Sequence, residues 1–455
     1  MKDGREKLAS ERVGRLLFRF SVPAIAGMFS QAMYNVADAF FVGRDGGPDA
    51  IAALAIAFPV QLFVMSVGIW MGVGGGSIIS RRFGEDRVKE AERAFGTVLS
   101  AGFLIGIFLI ILVYIFREPL LRALGASENI LGLAMEYILF VMPAALFIIF
   151  KMITNNVIRA EGNARDAMAV MISGAFLNII LDPVFIFVLG MGVKGAALAT
   201  VTAQGISALY AIYYFSSKRS IIKFRAGNFI IRRVILVEAF IVGSSAFLQH
   251  VMMAVISMVM NKSAQYYGGD IAVAFFGIFM RLFSLLAMPV QGIVQGMLPI
   301  AGFAYGAKNY DRVISVVKKA MGSGTLLAAA GISFIVIFPA EIFSLFSSDP
   351  ALLKLADSAV PICMAGVIFI PYQMTGSAAF QSLGKGGRAL LLTSLRQIVF
   401  FIPAAIVLPV FMGLNGLWFA FPFGDTASAV LTSFFVSKEY RLLRRSERDS
   451  AEVCI

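Results

Sequence analysis

Long apolar runs broken by short polar connections fill almost the entire chain. The runs fall at about 16–42, 51–79, 94–116, 131–158, 167–190 and 195–217, then at about 235–261, 271–299, 320–344, 357–381, 390–412 and 416–438. Each is near or above the roughly 20 residues that an α-helix needs to cross a bilayer. The pattern predicts an all-α polytopic membrane protein with twelve transmembrane helices. Its two halves repeat: Gly72 matches Gly292, Arg82-Phe83-Gly84 matches Ala304-Tyr305-Gly306, and Gly162 matches Gly384. Arg122 to Gly125 also matches Ser344 to Ser347, and Gly192 to Gly195 matches Gly413 to Gly416, all at offsets of about 220–222. A repeat of six helices is even-numbered, so both copies enter the membrane from the same side. The expected arrangement is two six-helix bundles related by a pseudo-two-fold along the membrane normal, at 1–217 and 234–455, joined by a basic cytoplasmic linker at 218–233.

Composition agrees: 59% of the 455 residues are hydrophobic, only 15% are charged, and the mean hydropathy is +0.84. Soluble domains carry nearer a quarter charged residues. The net charge of +12 suggests nucleic acid until its distribution is considered. Of 39 Lys and Arg, 30 lie at the termini or in the connections after spans 2, 4, 6, 8 and 10, and only 6 lie in the other connections. That asymmetry is a topology signal that puts both termini in the cytoplasm. No nucleic-acid partner is expected, and membrane lipids are. The basic start, Lys2 to Arg19, precedes an apolar run too long for a signal peptide and without a small-residue cleavage site, so it is read as a retained first span. Two cysteines, Cys363 and Cys454, and the single His250 exclude a disulfide framework, a zinc site and a His-rich metal centre.

Against this apolar background Asp182 stands out, flanked by Ile179, Ile180, Leu181, Val184, Phe185 and Ile186. A carboxylate inside a membrane span is expensive and is by default a functional site. Pro183 removes a backbone donor and crowds the carbonyl of Ile179, so the helix is expected to open there. Asn178 lies one turn back on the same face. From the helical rise of about 1.5 Å per residue, Asp38 in span 1, Asp182 in span 5 and Thr200 in span 6 differ in depth by only about 6 Å, all in the outer half. Tyr34 lies one turn deeper than Asp38. Two acids sharing a dry site resist being ionised together, which suits a cycle driven by a cation. The C-terminal copy has no acid at either place: Asp38 maps near Ile256, and Asp182 into the sequence around Pro403. Arg281 and Asp425, mid-span in the second half, are expected to pair with each other or to face a cavity. Arg396 and Glu238 are expected to snorkel, and Lys151 to snorkel or to act on a neighbouring acid.

MYNVADAFFVGR in span 1, RAEGNARDAM after span 4 and NIILDPVFIFVLGMGVKGAALATVTAQ across spans 5 and 6 resemble the multidrug and toxic compound extrusion (MATE) transporters of the prokaryotic branch. The resemblance covers essentially the whole chain. It implies a V-shaped pair of bundles that alternates between outward- and inward-open states and exports amphipathic, often cationic drugs in exchange for H+ or Na+. It implies no cofactor. Carried over residue by residue, its cation-coupling positions fall on Asp38, Asn178, Asp182 and Thr200, with Na+ a candidate occupant at Asp38 and Asp182. Its substrate-cavity positions fall on Gln31, Tyr34, Tyr137 and Asn155, and its hinge proline on Pro23. Asn155 sits toward the cytoplasmic side, well below the acids. The chain is expected to act as a monomer in the plasma membrane.

Among rival classes, an intramembrane serine protease fails on geometry, because Ser127 lies in an outer connection and His250 belongs to the other half. A channel fits one-sided acids less well than a carrier does. The serious alternative is a flippase for lipids or lipid-linked precursors, which a basic row in the central cavity would favour. Two acids, an amide and a hydroxyl suit H+ or Na+ alike.

Overall fold

A computed structural model of the protein describes residues 4–452 and is helical throughout, with no strand among the described residues. In the first half the helices are α1 (Gly4–Ser10), α2 (Val13–Gly84), α3 (Val88–Ala123), α4 (Glu128–Val141), α5 (Ala144–Ala160), α6 (Ala164–Pro183) and α7 (Gly192–Ser216). The second half holds α8 (Arg233–Gly306), α9 (Tyr310–Ile337), α10 (Pro339–Ser344), α11 (Pro350–Val367), α12 (Ile370–Ser382), α13 (Gly386–Ser394) and α14 (Ile402–Glu452).

Nine apolar stretches are long enough to cross a membrane when the pair α4 and α5, bent by 53° around Pro143, is taken as one. Three of them, α2, α8 and the continuous run from α13 through α14 (386–448), are 72, 74 and 63 residues long and each contains a break, at Gly47, Gly269 and Gly413. All three glycines have a φ between 57° and 64°, where a Cβ would be strained. Each long helix is therefore two spans joined at a glycine, which accounts for the twelve expected. Repetition reaches the backbone: Gly47 (φ 64°, ψ −157°) and Gly269 (φ 64°, ψ −158°) are nearly superimposable in conformation. Asp86 and Lys308, also 222 residues apart, share a φ of 58°.

By contacts the chain forms two compact units, 1–10 with 22–247 and 11–21 with 248–455. The basic linker packs in the first unit. Phe224 lies against Phe95 and Phe215, whose rings stack 4.8 Å apart. Backbone N–H groups of Ile221 and Ile222 donate to Glu161, and that of Lys223 to Glu92. The first part of α8 belongs to the first unit because glycines admit it: a Cβ on Gly243 would sit 2.0 Å from the carbonyl oxygen of Trp70, and one on Gly74 2.2 Å from that of Ala239. Arg81 pairs with Glu238 at 2.8 Å across the same contact, so Glu238 is paired rather than snorkelling. In the second unit the core is aromatic, with Phe275, Phe279, Phe343, Phe401 and Phe421 gathered around the fully buried Trp418.

Candidate functional site

Asp182 is reached from the helix that carries it. Between Asn178 and Asp182 α6 keeps regular α-helical turns, so side chains four apart align, and the Asn178 amide donates to Asp182 Oδ1 at 3.2 Å. The same Nδ2 contacts Thr200 Oγ1 on α7 at 3.4 Å, tying α6 to α7. The helix opens after Pro183 rather than at Ile179: the π-helical turn Val184–Val188 follows the proline, with Leu189 N–H donating to Val184 O. The expected opening is thus displaced by about one turn. The chain unwinds where Gly190 and Gly192 take positive φ, which leaves the Asn178–Asp182 turn intact. In the second half a π-helical turn, Leu395–Phe401, precedes Pro403 instead, where the missing N–H predicts it.

Asp182 is fully buried and Asp38 is 9% exposed. Asp38 lies nine residues before the Gly47 break, Asp182 eight before Gly190, and Thr200 eight after Gly192. Thr200 links the two acids: it lines a cavity with Asp38 and contacts Asn178, whose amide bonds Asp182. Three buried acceptors, Asp38 Oδ1, Asn178 Oδ1 and Asp182 Oδ2, have no donor from the protein. An unpaired buried carboxylate is costly, and a proton or a small hard cation is the partner that such oxygens fit. No cluster of three or more His, Cys, Asp or Glu with metal-holding geometry occurs among the described residues. A monovalent ion here would be held by two carboxylates, an amide oxygen and a hydroxyl.

A cavity of about 170 Å³ opens beside these groups, lined by Tyr34, Asp38, Gln61, Tyr137 and Thr200 among others. Gln61 Nε2 donates to Tyr137 Oη at 2.9 Å. A second cavity, about 70 Å³, shares Tyr34, Asn35, Phe58 and Gln61 with the first and adds Gln31, Lys151 and Gln204. Three of the four residues anticipated for the substrate cavity, Gln31, Tyr34 and Tyr137, therefore line cavities. Asn155 lines neither: it is buried, and its Nδ2 donates to the carbonyl of Ala167 at 2.6 Å, clamping α5 to α6. Pro23 is buried in α2, which continues through it without a dihedral break, and the change between compact units falls beside it, at 21–22.

Some features were missed or misread in the sequence. Gln61 and Gln204 drew no attention because glutamine in a span is a common helix bridge. Lys151 is fully buried and bonded to Gln204 Oε1 at 2.6 Å instead of reaching out of the span. Asp425 pairs at 2.9 Å with Arg396 rather than Arg281, so Arg396 does not snorkel. Their 29-residue separation gave no periodic cue. In the turn after α5, Glu161 is buried and accepts from Tyr214 Oη, Ser220 Oγ and the N–H groups of Ile221 and Ile222. Burial pushes its carboxyl up to about 7, against the pull of those four bonds.

Two copies of a helical bundle, each with buried ionisable groups and the first with carboxylate oxygens on Asp38 and Asp182 that lack a protein donor, define a polytopic membrane transporter rather than an enzyme. The MatE family model matches the chain twice, over residues 23–184 and 246–407, and the chain belongs to that family. It is 27% identical to the multidrug export protein MepA of Staphylococcus haemolyticus over 96% of each chain. It is 26% identical to MepA of Staphylococcus aureus over 97% of this chain and 96% of that one. A structure of MATE in the bent conformation aligns with a TM-score of 0.92 at 28% identity, covering 98% of this chain and 99% of the other. The outward-facing conformation of a multidrug resistance MATE family transporter aligns at 0.90 with 29% identity, over 96% and 98%. A transporter of the wider MOP superfamily from Pyrococcus furiosus aligns at 0.90 with 28% identity, over 98% and 99%.

Proposed function

We propose that the protein is a cation-coupled antiporter that exports amphipathic, often cationic drugs across the plasma membrane by alternating access, with both termini cytoplasmic. The observation that carries this reading is the set of three buried acceptor oxygens on Asp38, Asn178 and Asp182, none with a protein donor, beside a cavity of about 170 Å³. H+ or Na+ arriving from outside neutralises the pair Asp38 and Asp182. That removes their mutual repulsion and favours a cavity shape in which span 1, near Pro23, closes on the drug site. Loss of the ion toward the cytoplasm restores the negative charge, which attracts the next cationic substrate. A ligand biases the two states only by the difference in its affinity for them, so drug and ion must compete through this charge.

The relatives named for multidrug export and multidrug resistance support the substrate class. The flippase alternative gains no basic row: Lys151 is the single basic side chain lining the two cavities of the first unit. The test is uptake of a fluorescent cationic dye into vesicles holding the purified protein, with a pH gradient and a Na+ gradient imposed separately. Uptake driven by one gradient and abolished by its collapse is expected. Uptake indifferent to both, or transport of lipid-linked sugar in its place, would overturn the proposal.

A further inference from the structure

Lys151 is a charged group that lines a cavity of the first unit and that the coupling scheme leaves unused. Its side chain is 1% exposed, and its Nζ donates to Gln204 Oε1 at 2.6 Å. No carboxylate lies within ion-pair distance of it among the described residues. An ammonium has three donors, and one neutral amide oxygen satisfies only one of them. A buried charge without a counter-charge is stable only where something pairs it. The side chain lines the smaller cavity together with Gln31, Asn35, Gln61 and Gln204, four amides that can donate to an anion.

This cavity adjoins the one that holds Asp38: Tyr34, Asn35, Phe58 and Gln61 wall both. Helix geometry sets the spacing of the two ends. Thr200, on the acidic side, and Gln204, on the basic side, are one turn apart on α7, while Asp38 and Gln31 are about two turns apart on α2. At about 1.5 Å per residue, the negative and positive ends are separated by about 6–10 Å. Phe58 between them supplies an apolar wall.

We propose that the first unit contains a bipolar substrate site that selects zwitterions: an ammonium end beside Asp38 and a carboxylate or comparable anion beside Lys151, joined by an aromatic body about 6–10 Å long. This deepens the export reading and rests on it. Lys151 is the residue that sets preference between a zwitterion and a plain cation. A ligand of this length is too long for either end alone and must occupy both cavities.

The test compares an aminoaryl carboxylic acid, its charges about 8 Å apart, with its methyl ester, which is a cation only. Equilibrium binding of each to the purified full-length protein gives a zwitterion-to-ester affinity ratio that does not depend on transport. Wild type is expected to favour the zwitterion. Lys151→Gln is expected to lower the ratio roughly tenfold, as loss of one charge-assisted contact does, and Lys151→Arg to restore most of it. A wild-type ratio of one or less overturns the proposal without any variant. So does a ratio unchanged in Lys151→Gln, or affinity for both probes lost in equal measure, which marks a purely structural Lys151–Gln204 clamp. Transport of the same probes into vesicles is read separately. Absence of gradient-driven movement with the binding ratio intact refutes the export reading and leaves the bipolar site standing.

Discussion

Asp182→Asn separates charge from shape at the centre of the proposed coupling site. The amide is isosteric with the carboxylate, which is fully buried and has a single protein partner, Asn178, at 3.2 Å. The substitution therefore changes the charge and almost nothing else. One coupled ion moving down a tenfold gradient contributes about 1.4 kcal/mol, or tenfold in the substrate ratio that can be sustained. If the cycle also moves net charge, each elementary charge adds about 2.3 kcal/mol per 100 mV, roughly fifty-fold. In vesicles with a one-unit pH gradient or a tenfold Na+ gradient, the variant is expected to sustain about tenfold less accumulation per coupled ion. Thermal unfolding in detergent supplies the second reading. Because Asp182 Oδ2 is buried with no donor, removing its charge relieves a penalty, and the variant's Tm is expected to equal or exceed that of wild type. Accumulation with unchanged dependence on the driving gradient refutes the coupling role. A clearly lowered Tm refutes the charge argument, since the ionised carboxylate would then be supporting the fold.

Three further outcomes follow from other parts of the structure. The Glu161 carboxyl, raised to about 7 by burial from an ordinary value near 4.5, favours folding most while protonated. Its contribution is fully present below about 4.5 and is lost as pH rises through about 7, so the Tm difference between wild type and Glu161→Gln should shift against wild type between pH 5 and pH 8. Asp425→Ala strands the Arg396 guanidinium inside α13–α14 packing and should destabilise by about 3 kcal/mol, whereas the double variant Arg396→Met with Asp425→Leu should recover most of that loss in a denaturation cycle. Gly243→Ala forces a Cβ within 2.0 Å of the Trp70 carbonyl and should cost about 1–3 kcal/mol or more through overpacking, seen as a lower Tm and reduced yield, while Gly277→Ala, with open space around its Cβ, should be nearly silent.

The sequence made the span count and the duplication legible because both depend on local properties, run length and spacing, that survive without tertiary information. It also brought Asp38, Asn178, Asp182 and Thr200 to one depth, since helical rise is fixed and the breaks at Gly47, Gly190 and Gly192 lie near the ends of the apolar runs. What stayed hidden depends on rotation about helix axes and on contacts between helices far apart in the chain. Asn155 carries the right chemistry for a cavity, yet its helix turns it toward Ala167. Arg396 looked like a surface-seeking side chain until α14 brought Asp425 against it. Lys151 met Gln204 across 53 residues that no periodicity connects. The basic linker gave no sign of what holds it, and its 220–222 segment is held by Glu161 in the turn after α5.

The two copies share backbone geometry and differ in how they treat a buried acid. Gly47 and Gly269, or Asp86 and Lys308, keep the same dihedrals across the duplication, so the scaffold has been held while its interior diverged. In the second unit Asp425 already has a guanidinium at 2.9 Å, and the Gln373 amide donates to its backbone carbonyl. A monovalent cation entering there would have to displace an arginine bonded to the carboxylate through Nε, at a loss comparable to any gain. In the first unit Asp38 and Asp182 keep acceptor oxygens free of protein donors, and the buried Lys151 is engaged by an amide one turn away from Thr200. On the proposed coupling scheme those oxygens gain a partner only from something mobile. On the same scheme, that difference in pairing, more than any difference in fold, gives an ion from solution an electrostatic reason to act on one copy and to pass over the other.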